Sequence, residues 1–168
     1  MPKIIENLRV RLMEEAKKQI VESGYASMTM RSVAKGCGVG IGTVYNYFPS
    51  KDALLAAYLL EDWNGCICVI RESGAAEASA LPVMQCIHTQ LLEFTQRNYR
   101  IIQDETAATA ASASSVHFHK LLRSQLAEPL RKFCADDFLA KFLAEAMLDW
   151  TVAGKEFEEI YRILQKLL

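Results

Sequence analysis

Residues 29–51 read Thr29-Met30-Arg31-Ser32-Val33-Ala34-Lys35-Gly36-Cys37-Gly38-Val39-Gly40-Ile41-Gly42-Thr43-Val44-Tyr45-Asn46-Tyr47-Phe48-Pro49-Ser50-Lys51, and this stretch decides the fold. Thr29 is a capping residue for a short helix whose inward side chains are Val33 and Ala34, with Gly38 placed to end it. Gly38-Val39-Gly40 permits a tight turn, and Ile41 to Phe48 makes a further short helix closed by Pro49. Two such helices form a helix-turn-helix when the residues at their crossing are small and the second helix has an outer face that can enter a major groove. Ala34 and Gly38 meet the first condition. Val44 and Phe48 are spaced to face the core, which leaves Gly42, Thr43, Tyr45, Asn46 and Tyr47 outside.

That outer face is hydrogen-bonding rather than charged, and each residue type in it has a use at DNA. Gly42 lets backbone approach backbone, Thr43 can donate to phosphate or touch a thymine methyl, and Asn46 can read adenine or bind phosphate. The hydroxyls of Tyr45 and Tyr47 can reach phosphate oxygens. Lys51 sits at the positive end of the next helix and is expected to meet a phosphate with help from that helix's free N–H groups. Thr29 and Arg31 are expected to do the same from the preceding helix.

Outward from this stretch the chain reads as all-α. Leu8, Leu12, Ala16 and Ile20, with Ile5 and Met13 beside them, give a first helix ended by Gly24. Ser50-Lys51-Asp52 starts a long fourth helix reaching about Arg71, and Ser73 to Ala80 suits a connection. Pro82 is placed for the first turn of a fifth helix ending near Asn98. Thr106 to Ser115 contains only Thr, Ala and Ser and is compatible with a helix, a loop or a pocket wall. A helix through Leu121, Leu122 and Leu126 follows, which Glu128-Pro129 is expected to bend or restart. Phe138, Leu139, Phe142, Leu143, Ala146, Met147 and Trp150 then form a stripe wider than one packing partner needs. After Gly154 the arrangement repeats in Phe157, Ile160, Tyr161, Leu164, Leu167 and Leu168, which suggests a helical hairpin that pairs with a second copy of itself.

Composition bounds the function classes. The chain has 168 residues, 51% hydrophobic and 23% charged, enough for a packed core in one or two domains. Its net charge of -1 rules out overall basicity as a source of nucleic-acid binding. Residues 1–55 nevertheless hold eight cations (Lys3, Arg9, Arg11, Lys17, Lys18, Arg31, Lys35, Lys51) against five anions (Glu6, Glu14, Glu15, Glu22, Asp52), a basic head on an acidic body. The longest strongly apolar stretch, Ala53 to Leu60, stops at Glu61-Asp62, so no membrane segment is expected and the chain reads as cytoplasmic.

Five cysteines without a CxxC pair imply neither a disulfide framework nor a zinc site. His117-Phe118-His119 and Cys66-Ile67-Cys68 place possible metal ligands two apart, which on a helix points them to different faces. His88, Cys86 and Met84 read as a mixed core; Trp63, Tyr58, Phe94, Tyr99, Phe118 and Trp150 suit either a core or a pocket for an apolar ligand. No nucleophile–base motif, phosphate-binding glycine loop after a strand or metal triad argues for an enzyme, and no cofactor is expected.

The segment resembles the TetR family of bacterial transcriptional regulators over roughly residues 8 to 60. The resemblance rests on Gly24-Tyr25, Thr29, Val33-Ala34, Gly38-Val39, and above all Gly42-Thr43-Val44-Tyr45-Asn46-Tyr47-Phe48 followed by Ser50-Lys51-Asp52-Ala53-Leu54. It implies a three-helix DNA-binding head over 1–50 and a helical ligand-binding and dimerisation body over 51–168. It further implies a homodimer formed through the last two helices, double-stranded operator DNA as a partner, and an unidentified small-molecule effector. The expected function is a dimeric repressor released from a palindromic operator. The alternative is a DNA-localised interaction protein whose body binds a protein partner. Two positions depart from the family pattern: Gly40 stands where Ser or Thr commonly caps the recognition helix, and Cys37 stands where Ala is usual.

Overall fold

The computed structural model describes residues 7–168, and of residues 108–119 only the helical backbone. Ile5 and the side chains of His117, Phe118 and His119 thus lie outside the described residues. Among the described residues there is no strand, and the fold is all-α. The helices are α1 (Leu8–Ser23), α2 (Met30–Cys37), α3 (Ile41–Tyr47), α4 (Lys51–Ala76), α5 (Ala80–Arg97), α6 (Tyr99–Ile102), α7 (Glu105–Leu130), α8 (Asp137–Val152) and α9 (Phe157–Leu164).

Two compact units are present. The first comprises Met1–Glu61 with Asn98–Ser114, and the second Asp62–Arg97 with Ser115–Leu168. In the first, α1 packs on α2 and α6, and α2 packs on α3. Its core collects Leu12, Ala16 and Ile20 of α1, Val33 and Ala34 of α2, Val44 of α3, Leu54 and Leu55 of α4, and Ile101 of α6. The four-residue spacing of the α1 side chains is what places them on one buried stripe.

In the second unit α5 packs on α8 and α9. Trp63 is fully buried, donates its indole N–H to Gln125 Oε1 at 2.8 Å, and meets the edge of Phe94 at 5.5 Å between ring centres. By length and composition α4 is apolar enough to span a bilayer, with a mean hydropathy of 1.4 over its most apolar window. Part of this apolar surface is buried: Leu54 and Leu55 lie in the core of the first unit, and Trp63, Cys66, Ile67 and Ile70 are buried in the second, while Leu60 and Val69 are exposed.

Two expectations are revised. The fourth helix does not stop near Arg71 but continues to Ala76. A Cβ on Gly74 would stand 2.5 Å from Pro129 Cβ, so glycine is what lets α4 pass this close to α7. Pro129 neither restarts nor ends α7 at Glu128; the helix includes it, finishes at Leu130 and tightens into a 3-10 turn over Arg131–Phe133. Near a helix end, proline removes only one internal hydrogen bond. The α8 stripe, wider than one packing partner needs, divides in two. Leu143, Ala146 and Met147 face inward, whereas Phe138 is 78% exposed and Phe142 46% exposed.

Candidate nucleic-acid interface

The chain enters the head's first turn at Gly24, whose φ of 80° is in the left-handed region and whose N–H donates to the Ile20 carbonyl at 2.9 Å. Tyr25 follows, buried, with every polar group engaged. Its N–H donates to Asp104 Oδ2 at 2.7 Å, its carbonyl accepts from Lys51 Nζ at 3.3 Å, and its hydroxyl donates to Asp52 Oδ1. The Lys51 ammonium also stands 4.2 Å from the centre of the Tyr25 ring, a cation–π contact. Burial, and then the Asp52 carboxylate, push the Tyr25 hydroxyl well above its ordinary range, so it remains a donor.

Asp104 precedes α7 and divides its carboxylate. Oδ2 serves Tyr25, while Oδ1 accepts from the Thr106 hydroxyl at 2.5 Å and from the N–H groups of Thr106 and Ala107 at 3.0 and 3.1 Å. The Thr106 hydroxyl first, and then the N–H groups of Tyr25 and Ala107, hold its pKa down at about 2.

Thr29 is extended and caps α2. Its Oγ1 accepts from the Ser32 N–H at 3.0 Å and Ser32 Oγ accepts from the Thr29 N–H at 3.0 Å, a reciprocal box with Ser in place of the usual Glu. Ser32 also donates to Gln19 Oε1 at 2.5 Å, which ties α2 to α1. Gly38, with φ 69°, closes α2, and Val39 donates to the Ala34 carbonyl at 3.0 Å. Gly40 precedes α3 in an extended conformation that any residue adopts, so α3 starts without a side-chain cap.

On α3, Val44 and the following Phe48 are buried. Tyr45 and Tyr47 are 50% and 41% exposed, Gly42 and Asn46 are exposed, and Thr43 is half-buried. Thr29, Arg31, Tyr45 and Lys51 line one open concavity of about 630 Å³, with Ile41 and Pro49 along its apolar wall. The structure thus brings four of the eight sequence-derived residues into one depression and sets Gly42, Thr43, Asn46 and Tyr47 on the adjoining helix outside its lining. Arg31 makes no ion pair among the described residues, whereas Lys51 is already bound to Tyr25. Since an ammonium has three donors, Lys51 can keep Tyr25 and still reach an anion.

Gly42 is the informative residue. Nothing lies within 4 Å of where its Cβ would be, and its φ does not demand glycine. A helical glycine costs about 0.5–1 kcal/mol relative to alanine, and no contact within the protein explains this one. The residues that the sequence reading did not single out are Tyr25, as a hub, and Asp104. Asp104 is a local N-cap signal for α7, but nothing near it in the sequence marks its bond to Tyr25, 79 positions away.

The other candidates resolve into packing. The Cys37 thiol is buried and donates to the Arg11 carbonyl at 3.5 Å; burial pushes its pKa up, as for a larger alanine rather than a reactive thiol. Cys66 is buried and accepts from Arg97 at 3.1 Å, whereas Cys68 is exposed beside Glu72, so the pair faces apart. His88 is buried with Nε2 3.1 Å from the Lys155 carbonyl, and Met84 is fully buried beside it in sequence order on α5. Tyr99 is exposed and Trp150 half-buried.

A three-helix head containing a helix-turn-helix with an exposed outer helix, followed by further helices, is the architecture these residues build. Residues 12–58 match the family model described as bacterial regulatory proteins, tetR family, so the head is similar to the heads of that family. The HTH-type transcriptional regulator UidR of Escherichia coli K12 is 34% identical over 64 residues, 38% of this chain and 33% of that protein. The HTH-type transcriptional repressor KstR of Mycobacterium tuberculosis is 29% identical over 127 residues, 73% of this chain and 58% of that protein. The chain therefore aligns with less than two thirds of these relatives. The fold extends further: SCO7518 of Streptomyces coelicolor superposes with a TM-score of 0.75 at 18% identity, covering 96% of this chain and 98% of that one. The Thermus thermophilus repressor FadR, solved with lauroyl-CoA, superposes at 0.60 with 22% identity, covering 95% and 92%.

Proposed function

We propose that this chain is a sequence-specific DNA-binding transcriptional regulator, acting as a homodimeric repressor released from a two-fold symmetric operator by a small molecule. The observation that carries the reading is the outer face of α3. Gly42 there keeps a helix surface bare at a cost to stability, and Thr43, Tyr45, Asn46 and Tyr47 surround it with hydrogen-bonding groups. Arg31 and Lys51 flank the adjoining concavity and supply the positive charge for backbone phosphates.

Dimerisation through α8 and α9 is supported by the outward Phe138, Phe142 and Ile163, apolar side chains that a lone chain leaves in water. Two heads then address half-sites one helical turn apart. Repression is favoured by the similarity to KstR, and release by a small molecule by the like-folded FadR, which holds lauroyl-CoA. In a repressor of this kind α4, which contributes residues to both units, carries the effector's influence to the head. Such a chain works in the cytoplasm, where its operator is.

Selection of bound sequences from a random duplex pool tests the reading. A two-fold symmetric consensus that Tyr45→Ala and Lys51→Ala weaken or abolish is the expected result, with affinity falling steeply as salt rises. No enriched sequence at low salt would overturn it. By linkage, an effector that weakens operator binding must itself be weakened equally by operator DNA. DNA occupancy that responds to a protein partner and to no small molecule would instead identify a DNA-localised interaction protein.

A further inference from the structure

The strongest unassigned arrangement is the chain of contacts that runs from the start of α7 to the concavity beside α3. Asp104 binds the first turn of α7 with one carboxylate oxygen and the Tyr25 N–H with the other. Tyr25 in turn holds Lys51 through its carbonyl and its ring, and Lys51 lines the concavity. A second bond runs parallel, from Arg100 Nη1 of α6 to the Val21 carbonyl at 2.9 Å near the end of α1. We propose that Asp104 is a positioning residue for DNA binding, which sets the place of the Lys51 ammonium through Tyr25 without touching DNA itself.

The physical case rests on how few freedoms remain along this path. Gly24 brings the chain around with a positive φ, and the Asp104 carboxylate lies against it, its Oδ2 3.5 Å from where a Cβ would be, an ordinary contact distance. Tyr25 is buried, so its backbone and ring move together. Loss of the Asp104 bond leaves a backbone N–H without its acceptor, and the turn must shift to find another. Lys51 follows, because both its contacts are with Tyr25. The carboxylate is ionised at any physiological pH, so the link is permanent rather than proton-gated. It responds instead to displacement of the first turn of α7, a helix that contributes residues to both units.

The inference rests on the DNA-binding reading, and the test separates the two. Asp104→Asn retains an oxygen able to cap α7, since Asn caps as well as Asp, but cannot present acceptors on both sides. In the wild-type protein the Lys51 ε-methylene protons should be shifted upfield by the Tyr25 ring current, and Asp104→Asn should return them toward random-coil values and speed hydrogen exchange at the Tyr25 amide. Unchanged shifts would overturn the proposal whether or not the protein binds DNA. On a labelled duplex selected by the wild-type protein, Asp104→Asn should weaken binding by about fivefold, within the range for residues that act at a distance. In the Lys51→Ala background the same substitution should have no further effect. An undiminished effect there would show that Asp104 acts on stability alone and would equally overturn the proposal. A wild-type protein that binds no duplex, but shows the shifts and their loss, would sustain the positioning role of Asp104 and refute the interface reading instead.

Discussion

Replacing Gly42 by alanine should move stability and DNA affinity in opposite directions. The residue is the second of α3, with nothing within 4 Å of the added methyl, so the folded chain meets no clash. Alanine removes the backbone freedom that glycine loses on folding, a gain of about 0.5 kcal/mol at a first-turn position, the low end of the usual range. For a domain of this size that raises Tm by about 1–2 °C. At a groove the same methyl occupies the space that close approach requires; overpacking a fitted contact costs about 1–3 kcal/mol, so duplex affinity should fall by about fivefold or more. Thermal unfolding followed by circular dichroism and titration of a selected duplex measure the two effects. A stabilised variant that binds duplex as tightly as wild type would refute the argument that the bare surface exists for DNA. A destabilised one would refute the reading of open space.

Gly74→Ala should destabilise the second unit by about 1–3 kcal/mol in chemical denaturation, because the new methyl meets the rigid Pro129 ring at 2.5 Å. Asp104 is depressed from 3.8 to about 2, so it contributes stability that is present above its unfolded pKa and lost as pH falls through the folded one. Stability measured against pH should therefore decline between about pH 4 and pH 2, and Asp104→Asn should remove that share of the slope. Phe142→Glu places a charge on the outward face of α8 and should yield monomers by sedimentation velocity, with duplex affinity reduced accordingly. An unchanged sedimentation coefficient would exclude this face from the dimer.

The head was legible because its determinants are local. Thr29 and Ser50 cap the helices that follow them, Gly24 and Gly38 adopt the positive φ that ends helices, and Val44 and Phe48 turn inward at helical spacing. What escaped the sequence depends on distant partners. The close approach of α4 to α7 depends on Gly74 meeting Pro129, and the bond of Asp104 on a turn far from it in sequence. The four-residue α6 is too short to show a periodicity at all. Among the eight candidate residues, sequence spacing separated outward from inward on α3, but it gave no sign that Lys51 is shared with Tyr25.

The two tryptophans also equip the protein with separate fluorophores. Trp63, sealed between Phe94 and Gln125, should emit toward the blue and resist iodide, whereas the half-buried Trp150 on α8 should emit toward the red and be quenched. Shielding of the red component on raising protein concentration would then report self-association. The signal comes from the unlabelled chain, and the sealed Trp63 serves as its internal reference.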